Sequence, residues 1–153
     1  MNYEVSISHQ KVLDACIVQT SLDFRGLRII EPVKADAICD DFTMSADDRA
    51  AVAAEMRIAA MYLNLRLKNQ ILSVSIGEES INYVLSVNDK VFIDCVTLTI
   101  LMETYFKNRI LSWWYSGRNE NLWSKYIADM ASSVENIVSV SIPKFTERKL
   151  RYF

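Results

Sequence analysis

The stretch YFKNRILSWWYSGRNENLWSKYIADM, residues 105–130, decides how the chain is read. Two apolar runs meet in it across a short polar break. The first starts upstream and reads Val91, Cys95, Leu98, Met102, Phe106, Ile110 and Trp113 or Trp114. Steps of three and four put these residues on one helix face. The second reads Leu122 or Trp123, Tyr126 or Ile127, Met130, Val134 and Ile137 or Val138, with the same period. Between them Gly117 suits the left-handed position after a helix, and Asn119 or Asn121 can cap the next one. So short a break predicts an antiparallel αα-hairpin. Its expected core anchors are Phe106, Ile110, Trp113, Trp123, Ile127 and Met130. The phase of the second helix decides whether Leu122 or Trp123 points inward.

Upstream, Asn88 and Asp89 are positioned to cap the first of these helices. The runs 71–76 and 81–87 suit strands, and the Gly77-Glu78-Glu79-Ser80 link between them predicts a β-hairpin. Before that hairpin, Ser45-Ala-Asp-Asp48 has the form of a capping box with Asp in place of Glu. It opens a long helix to about residue 70, with Val52, Met56, Ala59, Ala60, Leu63 and Leu67 as one stripe. Ile58, Met61, Tyr62 and Leu65 add apolar surface on other faces, so this helix calls for cover on more than one side. At the start, Tyr3, Val5 and Ile7 alternate with polar residues, as in a short strand or extended segment. Ser8 can then cap a surface helix over about 9–22, ended by Gly26, with His9 in its first turn. Residues 27–43 read as irregular and acidic, because Pro32 disfavours helix and Asp36, Asp40 and Asp41 cluster there.

At the other end, residues 139–153 form a separate segment. Val140 and Ile142 alternate with serines, and Pro143 stops any helix. Phe145, Leu150, Tyr152 and Phe153 then alternate with Arg148, Lys149 and Arg151. That mixture is too apolar for a disordered tail and reads as an arm that docks, with these nine residues as its assembly interface. The expected architecture is mainly α. One helical domain over 1–138 is a bundle with a long αα-hairpin and a small β-hairpin at about 71–87, followed by an extended arm over 139–153.

The chain of 153 residues is long enough to bury a core. A net charge of −2 argues against a general nucleic-acid binder. Three widely spaced cysteines, Cys16, Cys39 and Cys95, read as reduced thiols in a cytosolic setting. The opening MNYEVSISHQ has no signal-peptide pattern. Asp94, Glu103, Lys107 and Arg109 interrupt the longest apolar stretches, so no membrane span is expected.

No pattern of catalytic chemistry stands out. His9 has no ligand-spaced partners. The aspartates of 36–48 lack the spacing of a calcium loop and read as a solvated acidic loop. Ser8 to Lys11 and Ser141 to Lys144 fit S-x-x-K without its companion motifs. Three glycines are too few for a phosphate-binding loop. Glu103 reads as a flank charge paired with Lys107 one turn on. Trp113, Trp114 and Tyr115 point about 100° apart, so they form no flat stacking platform. The second helix of the hairpin carries only Lys125, too little charge for a DNA-reading helix. No catalytic residue, cofactor or metal is expected.

The order of parts is more informative: long helix, β-hairpin, a helix ending in FKNRILSWWY, a polar break, a helix with Trp123, Tyr126 and Met130, and a basic proline-containing tail. It resembles small proteins from structural-gene clusters of tailed phages and prophages of Bacteroides-type bacteria. In outline it is similar to the head–tail connector, or neck ring, proteins of tailed phages. The resemblance implies a structural virion protein of the neck, made in the host cytoplasm. It implies a homo-oligomeric ring below the portal, in contact with the portal, an adjacent connector or tail proteins, with room for a passive DNA channel. It carries no active site. The alternative is a cytosolic regulatory or partner-binding helical module without catalytic activity.

Overall fold

The computed structural model describes residues 1–33, 42–87 and 93–141. In chain order these form β1 (Asn2–Ser8), α1 (His9–Ile30), a 3-10 turn (Ala46–Asp48), α2 (Arg49–Arg66), β2 (Ile71–Ile76), β3 (Ser80–Ser86), α3 (Cys95–Tyr115) and α4 (Glu120–Ser141). The chain is mainly helical, with one small antiparallel sheet.

The three strands lie in the order β1-β3-β2. The alternation of residues 2–8 therefore makes a true strand, paired with β3 from Asn2–Ser86 to Ser8–Ser80. Tyr3, Val5 and Ile7 from β1 and Ile81, Tyr83 and Leu85 from β3 share the buried face. Asn2, Glu4, Ser6, Asn82 and Ser86 face outward and are exposed, the pattern of an antiparallel sheet with one wet side. The Tyr3 hydroxyl donates to the Ile93 carbonyl, and the Cys95 thiol donates to the Glu4 carbonyl at 3.2 Å. The entry to α3 thus covers the outer edge of β1.

Local signals set the helix ends, with differences from the expected bounds. The Ser8 hydroxyl accepts from the Lys11 N–H at 3.3 Å and starts α1. However, α1 does not stop at Gly26. It runs on to Ile30, because a mid-helix glycine costs only about 1 kcal/mol and Leu27 still packs against the core. Glu31 leaves the helical region just before Pro32, as the residue ahead of a proline must. Before α2, the Asp48 carboxylate accepts from the Ser45 N–H at 2.8 Å and the Ser45 hydroxyl from the Asp47 N–H at 3.3 Å. That capping box closes as its sequence suggests. α3 starts later than expected, at Cys95, and the cap is Asp94, whose carboxylate accepts from the Thr97 N–H at 2.6 Å. Asn88, Asp89 and Val91 lie outside the described residues.

Gly117 takes φ +79° at the end of α3. Asn119 Oδ1 accepts from the Leu122 N–H at 3.0 Å and opens α4. Tyr115 stacks on Tyr126 beside this turn, and Asn108 donates to Ser133 at 3.0 Å two turns further away, so α3 and α4 run antiparallel. α4 continues to Ser141, which corrects the extended reading of 139–141. Val134, Ile137 and Ser141 are buried at helical spacing, and Val138 and Val140 pack beside them. Residues 142–153 lie outside the described residues.

All of these elements share one apolar core. Val12, Leu13 and Cys16 of α1 meet Val52, Met56, Ala59, Ala60 and Leu63 of α2 there, with the inner face of the sheet and most of α3. The alanines of α2 permit close approach: the Tyr105 hydroxyl of α3 reaches the Ala59 carbonyl at 2.8 Å.

Candidate functional site

The structure brings a polar cluster together at the end of the molecule where α1 meets the α3–α4 turn. The Asp23 carboxylate accepts from two phenols through one oxygen, Tyr115 at 3.0 Å and Tyr126 at 2.7 Å. The two rings stack with centroids 5.6 Å apart. Gln19, one turn earlier, donates to the other Asp23 oxygen at 3.1 Å, and Lys107 donates to Gln19 at 3.3 Å. Burial first, and then the Asp23 charge and hydrogen bond, push both phenols well above the ordinary tyrosine range. A phenol held so firmly protonated is a donor, not a base. The cluster therefore clamps α1 to the α3–α4 turn.

Above it opens a cleft of about 670 Å3 between Leu22, Gly26 and Ile30 on one side and Arg118, Asn119 and Leu122 on the other. Arg118 is already committed: its guanidinium lies 3.9 Å over the Trp114 ring and donates to the Trp114 carbonyl at 2.7 Å. Trp114 in turn donates its indole N–H to the Phe42 carbonyl at 2.8 Å. Sequence spacing had no way to show this cluster. The i,i+4 pair Gln19 and Asp23 was its one visible trace, because Tyr115 and Tyr126 meet only once the turn has closed.

The predicted anchors divide. Phe106 and Ile110 are fully buried. Trp113 and Met130 pack at the core's edge, and Ile127 is half-buried. Trp123 is 41% exposed and Leu122 packs inward, so the choice between them falls to Leu122. Trp123 sits beside it in the first turn of α4, one residue round the helix and on its exposed side. Of the predicted arm, Val140 is helical and partly buried. Ile142, Phe145, Arg148, Lys149, Leu150, Arg151, Tyr152 and Phe153 lie outside the described residues.

Other sequence readings are also relocated. His9 is buried, not on the surface, with Nδ1 2.9 Å from the Glu78 carbonyl oxygen. Glu103 pairs with Lys11 of α1 at 2.9 Å and not with Lys107, because α1 packs across that face of α3. Cys16 is free and buried, its thiol pushed up to about 12 by burial. No group of three or more metal-ligating side chains occurs among the described residues, and no helix there is long and apolar enough to cross a membrane.

The surface carries a second kind of feature. α2 is apolar on two opposite sides. At 100° per residue, Met61 and Leu65 stand opposite the buried stripe of Val52, Met56, Ala59 and Leu63, with Ile58 and Tyr62 beside them on one flank. All four are exposed, Met61 to 62% and Leu65 to 73%. Among the described residues nothing covers this stripe. β2 is similarly open, with Leu72, Val74 and Ile76 exposed along an edge strand.

Comparison with known proteins finds no matching family model, no matching curated protein and no matching solved structure.

Proposed function

We propose that this chain is a non-catalytic assembly subunit, of the kind that builds a head–tail connector ring in the neck of a tailed phage. The observation that carries the assembly role is the uncovered stripe Ile58, Met61, Tyr62 and Leu65. A helix apolar on two opposite sides needs cover on both, and contiguous exposed apolar surface marks an interaction site. The order of parts from 45 to 153 supplies the phage identity, through its resemblance to neck proteins.

In this reading the helices form a bundle around the α3–α4 hairpin, and 142–153 is the arm that reaches a neighbouring subunit. Ile142, Phe145, Leu150, Tyr152 and Phe153 are its apolar anchors. Arg148, Lys149 and Arg151 meet acidic surface, guiding register more than adding affinity. The ring sits in the virion below the portal, beside an adjacent connector or tail protein, around a passive channel for DNA. The same stripe also fits a single partner helix laid along α2, which is the second reading, a partner-binding module.

Native mass measurement separates the two. A ring subunit gives large homo-oligomers or a portal-bound species, and Met61→Glu with Leu65→Glu abolishes them while helicity stays normal. A chain that remains small and binds one foreign helix in a one-to-one complex sinks the ring.

A further inference from the structure

β2, residues 71–76, reads ILSVSI, without charge, proline or glycine. It forms one side of the sheet and pairs only with β3 among the described residues. The opposite edge, β1, is protected by Glu4 and by the chain at Ile93 and Cys95. Natural proteins blunt exposed edges with charge, proline, bulges or cover; β2 carries no charge or proline and has no cover among the described residues, and its one bulge, between Ile71 and Ser73, lies outside the stretch from Ser73 to Ile76.

The register shows what this edge offers. The Gly77 N–H donates to the Ser80 carbonyl at 2.9 Å, so 77 and 80 form a hydrogen-bonded pair. Antiparallel pairs alternate, which makes Ser75–Asn82 and Ser73–Val84 the next bonded pairs. Val74 and Ile76 therefore turn their N–H and C=O groups away from β3, toward the open side. Their side chains share the sheet's apolar face with Tyr83 and Ile81, yet stay 37% and 38% exposed.

We propose that β2 is where two copies of this chain pair, antiparallel and edge to edge, about a two-fold axis at Ser75. With Ser75 facing its own copy, Val74 of each chain lies opposite Ile76 of the other. Those two positions then exchange both backbone bonds, which satisfies the open N–H and C=O groups of Val74 and Ile76 in each strand. The apolar face runs unbroken through the pair, with serines on the wet side. Charge favours a second copy over a foreign strand. Exposed Lys68 precedes the strand and exposed Glu78 and Glu79 follow it, so antiparallel self-pairing puts the other copy's glutamates opposite Leu72 and Ile71, on the lysine's side of the contact and three to four residues from it. The strand between carries no charge to repel its own image. This contact does not rest on the ring reading. A two-fold pair uses one patch twice and closes, whereas a ring needs two unlike faces.

The full chain is tested by sedimentation and by cross-linking. In a non-hydrogen-bonded pair, Cα atoms lie about 4.5 Å apart, within disulfide range. Ser75→Cys is expected to give a covalent dimer under mild oxidation, with wild type as the control for its own cysteines. Ser73→Cys is expected to stay uncross-linked, since its copies lie four residues out of step, about 13 Å along the strand. Ser75→Lys sets like charges face to face, and is expected to halve the wild-type mass in solution, dimer to monomer or paired ring to single ring, at unchanged helicity. Val74→Pro removes only an outward N–H and is expected to do the same. Wild type that sediments as a monomer overturns the proposal. So does Ser75→Cys that cross-links no more than wild type, which is the result if a foreign strand or the chain's own carboxyl segment occupies the edge. The Met61→Glu and Leu65→Glu pair leaves this dimer intact, so the two proposals fail separately.

Discussion

At His9, one proton decides the energetics. Its Nδ1 faces the Glu78 carbonyl oxygen, which can only accept, so the neutral ring carries its proton there. Nε2 is then a bare lone pair, buried without a partner among the described residues. Protonation would place an unsatisfied N–H and a charge in that pocket. Burial is accordingly the main force lowering the His9 pKa below 6.5, opposed by the Glu78 bond and aided by Arg57 and Arg49. The folded protein thus binds fewer protons than the unfolded chain below 6.5, and stability rises with pH there. The contribution is complete above 6.5 and is lost as pH falls from 6.5 through the lower folded value. Urea midpoints measured from about pH 7 to about pH 5 should fall in wild type and fall less steeply in His9→Gln, whose amide can still donate to Glu78. Parallel slopes would show that His9 is not the titrating group. Tyr83 presents the converse case. Its buried hydroxyl has no partner among the described residues, whereas Tyr105 donates to Ala59. Tyr83→Phe should leave the unfolding midpoint unchanged or raise it, and Tyr105→Phe should cost about 1 kcal/mol. The reverse order would mean that Tyr83 finds a partner after all.

Among the elements, the turn between α3 and α4 shows most clearly what sequence can and cannot settle. Gly117 and Asn119 announce the helix ends, because a left-handed residue and a capping amide are local requirements. Likewise Ser8, Ser45 and Asp48 act within their own turns. The inward face of α4 was harder. Leu122 and Trp123 both lie within reach of the apolar stripe, and adjacent apolar residues leave the helical phase open. α1 runs eight residues past the expected end at 22, to Ile30, and in the closed turn Leu122 packs on the core while Trp123 stays exposed. Periodicity also left His9 on the surface, since its cover comes from Glu78, far along the chain. For the same reason the Asp23 cluster was invisible: its partners are 92 and 103 residues away. The consequence for α4 is measurable. Trp123→Ala should cost about 1 kcal/mol or less, as surface substitutions do, against about 2–5 kcal/mol for Ile110→Ala at a fully buried site. Tryptophan loss comparable to Ile110 loss, by denaturant unfolding, would return Trp123 to the core.

For the whole molecule, the question is whether sheet and helices unfold as one unit. β1 lies first in the chain but pairs with β3 about eighty residues later, and its edge is closed by the start of α3. The β2–β3 hairpin is local, but an isolated hairpin is marginal in water and β1 joins it only by long-range closure, so the sheet's stability comes from the helices packed on it. The core is likewise continuous from Ile7 through Ala59 and Tyr105 to Tyr115. Ile7→Ala empties a fully buried site in the strand furthest in sequence from the α3–α4 turn. It should destabilise by about 2–5 kcal/mol. If the core is one cooperative body, that loss moves every signal together. Far-ultraviolet dichroism follows the helices, while fluorescence of Trp114, locked to Phe42 at the opposite end, follows tertiary packing. Both midpoints should shift by the same amount in Ile7→Ala. A tryptophan transition that stays at its wild-type midpoint while the dichroism shifts would divide the molecule into a sheet unit and a hairpin unit that melt apart.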